Sequence, residues 1–88
     1  MTPHLHRKLN LKNGHVVKAN IKGSAMVMLM DDSSYEKYTD GEDFDYFGKK
    51  AGVKPVLLKP PFPGEWHVVI EQTNPAKDIF VNIQIIGE

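Results

Sequence analysis

The chain has 88 residues, enough for one small hydrophobic core and too few for two. Hydrophobic residues make up 41% of it, a globular composition, and 11 Lys plus Arg balance 11 Asp plus Glu, which argues against a dedicated nucleic-acid binder. The absence of cysteine removes a disulfide framework, a thiol nucleophile and a zinc knuckle from consideration.

Hydrophobicity alternates with a period of two along nearly the whole chain, as in strands with one buried face. Leu5, Leu9 and Leu11 alternate with His4, His6, Lys8 and Asn10, with Arg7 the one charge in the apolar phase. Residues 1–10 carry charge with no apolar stretch behind them and do not read as a signal peptide, so a cytoplasmic location is expected. Lys12-Asn13-Gly14 follows, and Asn-Gly favours the positive φ of a tight hairpin turn. Val17, Ala19 and Ile21 form the next apolar phase, and Lys22-Gly23-Ser24 the next turn. Ala25–Met30 is apolar on both phases and reads as a central strand covered on both faces. At six residues it is the longest apolar run, far short of the ~20 a membrane helix needs, so no membrane role is expected.

Residues 31–41 are polar. Within them, residues 33–38 read as a helix of one or two turns, with Ser33 as cap and Glu36 at capping-box spacing. Phe44 and Tyr46 restart the alternation, with Asp43 and Asp45 on the other face. Residues 53–58 read as a strand that Pro55 demotes to an edge or a bulge, and Pro60-Pro61-Phe62-Pro63 as a stiff connection. Trp66, Val68 and Ile70 share one face of the next strand, with His67 and Val69 on the other. A loop holding Asn74-Pro75 precedes a last strand with Ile79, Val81, Ile83 and Ile85 in phase. The expected fold is all-β: an antiparallel β-sandwich or closed barrel of about seven strands in a single domain, residues 1–88, with at most one short helix near 33–38.

Certain blocks at their mutual spacing resemble a small family of bacterial proteins, the domain of unknown function 1883. They are Val27-Met28-Leu29-Met30-Asp31, Tyr35, Tyr38, Gly41, Tyr46-Phe47-Gly48 and Gly64-Glu65-Trp66-His67-Val68-Val69-Ile70. The likeness runs from about His4 to Ile86. It implies a small all-β bacterial domain, found alone or joined to signalling domains of the Toll/interleukin-receptor type. The family carries no established activity, so the resemblance brings no site residues with it and tilts the reading toward a recognition module.

Charge is unevenly spread. Residues 1–30 hold five cations and no acid, whereas residues 31–45 hold seven acids against Lys37. Such asymmetry suits an oriented electrostatic contact, self-association included, although an acidic loop also serves simply to stay solvated. Asp43 and Asp45 on one strand face are weak candidates for a hard cation. Met26, Met28 and Met30, spaced by two, would present soft thioethers to Cu(I), with His4 and His6 as possible nitrogen donors; methionine more often fills irregular core gaps. His67, given an acid from Asp43 or Asp45 on a neighbouring strand, would be a pH-sensitive or ligand-contacting residue, or else a structural histidine. Tyr35 and Tyr38 share a side of the helical turn, with Tyr46, Phe47 and Phe62 expected nearby. Exposed rings beside carboxylates suit sugar binding; the competing reading is that they plug the end of the sandwich. Pro-x-x-Pro lacks a suitably placed basic residue and reads as a rigid loop.

No phosphate loop or nucleophile elbow is present, so no catalytic residue and no cofactor are assigned. The expectation is a non-catalytic recognition module. It would bind a protein or small-molecule partner through Asp31, Tyr35, Tyr38, Tyr46, Phe47 and His67, with a homo-oligomer possible. The alternative is a metal-handling protein or small hydrolase-type enzyme using His67 or the methionine ladder.

Overall fold

A computed structural model describes residues 4–51, 54–73 and 79–87. The elements run β1 (Leu5–Leu11), β2 (Val16–Lys22), β3 (Ala25–Met30), α1 (Asp32–Asp40), β4 (Phe47–Lys50), β5 (Val56–Leu58), β6 (Gly64–Gln72) and β7 (Phe80–Ile86). They form two open antiparallel sheets, ordered β1-β6-β3-β4 and β5-β2-β7. The fold is therefore a β-sandwich, not a closed barrel, with α1 laid over the outer face of the larger sheet.

The inner phases of the two sheets meet in one core. Leu9, Leu11, Val27, Leu29, Trp66, Val68 and Ile70 come from the larger sheet; Val17, Ala19, Val56 and Leu58 come from the smaller. These are the residues whose alternation marks the buried side of each strand. β3 is buried on both faces because its second phase, Met28 and Met30, packs with Val69 in a smaller cluster that Tyr35, Tyr38 and Phe44 cover.

The alternation marks which face is buried, but not which strands pair. Gly14 has the expected positive φ of 83°, and the turn is closed by His15 N–H donating to the Lys12 carbonyl at 3.0 Å. Yet β1 and β2 do not form a hairpin: β1 pairs with β6 and β2 with β5 and β7. The Asn-Gly turn carries the chain across the sandwich, from one sheet to the other. The turn at Gly23 (φ 119°) carries it back.

Three boundaries also differ from the sequence reading. The helix is longer, Asp32–Asp40, and its cap is Asp31, not Ser33: the Asp31 carboxylate accepts the Ser34 N–H at 2.8 Å. It ends on Gly41 in the left-handed region (φ 77°), with Glu42 N–H donating to the Lys37 carbonyl and Gly41 N–H to that of Tyr38, the Schellman arrangement. Phe44 and Tyr46 precede β4 and lie outside it, so Asp43 and Asp45 share no strand face. Of the strand read over 53–58 the described residues show Val56–Leu58, at the edge of its sheet and starting after Pro55, which has no N–H to give to a ladder. Val53 and the loop holding Asn74-Pro75 lie outside the described residues.

Asp31→Ala is expected to cost about 1 kcal/mol, the usual worth of an N-cap. Urea denaturation of Asp31→Ala and Asp31→Asn checks it: asparagine should recover most of the loss.

Candidate functional site

The register of the larger sheet sets out two neighbouring sites on its outer face. Lys8 lies opposite His67 and His6 opposite Val69, so the two histidines are diagonal neighbours on adjacent strands. Across β3, Met30 lies opposite His67 and Met26 opposite Glu71. Above them, Asp32, Tyr35 and Tyr38 fall on one side of α1, three residues apart.

The first site is the seam between helix and sheet. His67 is buried, and its Nε2 is hydrogen-bonded to Asp32 while its Nδ1 meets His6 Nε2 at 2.7 Å. Tyr35 stacks over both imidazoles, with ring centroids 4.1 Å from His6 and 4.5 Å from His67. His4 Nε2 and the Tyr35 hydroxyl lie 3.3 Å apart, and the Tyr38 hydroxyl donates to Glu71. The partners fit the chemistry: an ionised carboxylate only accepts, so His67 Nε2–H donates to Asp32, and this holds the Asp32 carboxyl below the usual carboxylate range. Burial, then the neighbouring His67, His4 and Lys8, push His6 below an ordinary histidine. Burial and the bond to Glu71 push the Tyr38 hydroxyl up.

A group with a lowered folded pKa binds fewer protons folded than unfolded, so its contribution is full above the unfolded value and is lost as pH falls through the folded one. For His6 that loss begins below about pH 6.5. Asp32 adds a second loss below about pH 3.8. The urea midpoint of the wild-type chain should thus fall between pH 7.5 and pH 5, and His6→Asn should flatten that fall. Equal falls in the two proteins would show that His6 does not set it.

The second site is a groove at the helix start. Asp31, Asp45, Tyr46, Phe47, Phe62 and Trp66 line it, with Ser34 beside them. Tyr46, Phe47 and Phe62 are each about half exposed, whereas Trp66 is buried in its floor. Three contacts hold the rings in place. The Trp66 indole N–H donates to the Phe62 carbonyl at 3.1 Å, and the Phe62 ring lies 4.9 Å from the indole. The Tyr46 ring lies over Gly48, where a Cβ would meet it at 2.7 Å.

The structure thus divides the residues singled out from the sequence. Tyr35, Tyr38 and His67 meet in the seam; Asp31, Tyr46 and Phe47 meet in the groove. The acid facing His67 is Asp32 from the helix, not Asp43 or Asp45 from a strand. Met28 and Met30 lie under α1 and Met26 packs beside them. Among the described residues no group of three or more His, Asp or Glu is arranged to hold a metal ion. Asp32 and Glu71 were not singled out as site residues, because a period-two pattern carries no information about what a helix lays across the sheet.

A family model described as Domain of unknown function (DUF1883) matches residues 3–86. The chain belongs to the DUF1883 family. No curated protein and no solved structure matches it. The DUF1883 match spans both the seam and the groove, and it names no residue of either. Among the described residues no helix is long and apolar enough to cross a membrane.

Proposed function

We propose that the domain is a non-catalytic recognition module whose groove between the start of α1 and residues 44–47 takes a saccharide. One observation carries this reading: three half-exposed aromatic rings, Tyr46, Phe47 and Phe62, converge beside two carboxylates over a buried indole. Exposed apolar rings are costly in water unless something covers them, and here they cluster. A sugar offers apolar C–H faces to the rings and hydroxyl protons to the acids. Among the described residues the groove wall has acids, a serine and a tyrosine hydroxyl and no lysine or arginine, which suits a neutral, donor-rich ligand over an anion.

Trp66 is the sole tryptophan, so its emission reports directly on the groove. Titration with soluble glucose-, mannose- and N-acetylglucosamine-based oligosaccharides should give a saturable change with at least one series. Phe62→Ala and Tyr46→Ala should each weaken binding tenfold or more, about 1.4 kcal/mol, while circular dichroism and the urea midpoint stay close to wild type. The Phe62 carbonyl that holds the indole is backbone and survives the substitution. Saturable binding of lysine-containing peptides with none of any saccharide would overturn the sugar assignment.

A further inference from the structure

We propose that His6 is a phosphoryl-acceptor histidine, reacting through Nδ1 with small acyl phosphates, and that His67 and Asp32 form the proton relay behind it. The inference is independent of the groove.

The hydrogen-bond inventory assigns the tautomers. The Asp32 carboxylate only accepts, so the proton between it and His67 belongs to His67 Nε2. We take His67 as the neutral imidazole, with its lone pair on Nδ1; the 2.7 Å contact is then a bond in which His6 Nε2–H donates. Neutral His6 is left with its lone pair on Nδ1, and no hydrogen bond among the described residues engages that atom. His6 is exposed, while His67 behind it is buried, and Tyr35 stacked across both rings fixes their common plane. Partial burial lowers the proton affinity of His6 and favours the neutral imidazole, the form that attacks.

The relay removes the charge that attack creates. The Nδ1 lone pair of His6 bonds to phosphorus, and the bond from phosphorus to the acyl oxygen breaks. The carboxylate leaves with that electron pair. The ring would now be cationic, but its Nε2 proton passes along the existing bond to His67 Nδ1. His67 becomes an imidazolium facing the Asp32 carboxylate, and the phosphorylated His6 ring is neutral. Asp32 and His67 are positioning residues in this step; His6 alone bonds to phosphorus.

The surroundings suit a dianionic donor. Lys8 follows His6 on the same face of β1, and His4 precedes it. Lys8 is paired with Glu65 at 2.7 Å, but both side chains are exposed, and such a pair is easily exchanged for a phosphate. Residues 1–30 contain no acid at all.

The test is incubation of the full chain with acetyl phosphate at pH 7.5, read by intact mass and ³¹P NMR. One phosphoryl group is expected, acid-labile, with the resonance of the Nδ1 adduct and mapping to His6. His6→Ala should abolish it. Asp32→Asn keeps an acceptor oxygen for His67 but removes the negative charge; it should slow the reaction about 10²-fold while far-UV circular dichroism at pH 7.5 shows the fold retained. Asp32 is exposed, so this variant keeps the test sharp even where a His67 variant fails to fold. Phosphorylation spread evenly over His4, His6 and His15, an Nε2 adduct, no adduct, or an Asp32→Asn rate equal to wild type would each overturn the proposal.

Discussion

Replacing Trp66 by alanine is expected to remove about 3–5 kcal/mol of stability, a large share of what a chain of this size holds. The indole is 2% exposed and packs in the core with Val68 and Ile70 beside it on β6. A chain of this length has roughly 4–13 kcal/mol to lose, at about 0.05–0.15 kcal/mol per residue. The substitution leaves a large cavity in a core only two sheets thick, and the remaining side chains are anchored to ladders that cannot close it. It also removes the indole N–H bond to the Phe62 carbonyl, which ties the connection between β5 and β6 to the core. Trp66→Phe keeps most of the packing and loses only that bond, so it should sit between the two. Far-UV circular dichroism in urea is the measurement, since the fluorophore is gone. A midpoint change worth under about 1 kcal/mol for Trp66→Ala would contradict the packing described here.

His67→Ala should have the second largest effect, about 2–4 kcal/mol, and should concentrate it in one place. Among the described residues His67 is one of two buried polar residues, the other being Ser34, and it ties three elements together. Its loss cuts the bond from α1 through Asp32, the bond to β1 through His6 and the stack beneath Tyr35. The core between the sheets is untouched, because His67 points to the opposite face from Trp66. Native-state hydrogen exchange should therefore show the amides of α1 losing protection by one to three orders of magnitude while β3 and β6 keep theirs. Uniform loss over all strands would mean that the seam is part of the core and not a separate latch.

The sandwich was legible because its strands are half-buried and antiparallel, so each one wrote its buried face into the sequence. Val17, Ala19, Trp66, Val68 and Ile70 are examples in which the alternation and the core agree. Pairing was not legible. The Asn13-Gly14 turn supplies the φ of a hairpin, but local geometry alone does not tell a hairpin from a crossing between sheets. The doubly apolar run Ala25–Met30 signalled a strand covered on both sides, without saying that methionine and tyrosine would form the second cover.

The sites were half legible for the same reason. Tyr46, Phe47 and Phe62 were expected beside Tyr35 and Tyr38; the fold groups the three over Trp66 and sets Tyr35 and Tyr38 in the seam instead. The His6–His67 contact joins residues 61 apart in the chain, and the pattern offered only that each lay on an outer face. Asp31 reads from the sequence as a binding residue, Asp32 only as one acid of the polar stretch. The structure gives them different tasks, the first as the helix cap and groove wall, the second as the partner of His67.

The central claim, that the groove receives a saccharide, is tested most directly by chemical-shift mapping. ¹⁵N-labelled protein is titrated with the oligosaccharide series used in the fluorescence assay, and the indole N–H of Trp66 is followed with the backbone amides. The account predicts saturable shifts at Asp31, Ser34, Tyr46, Phe47, Phe62 and the Trp66 indole, with the outer face of the smaller sheet around Lys18 and Gln84 unmoved. Shifts confined to that opposite face, or none with any saccharide, would contradict it.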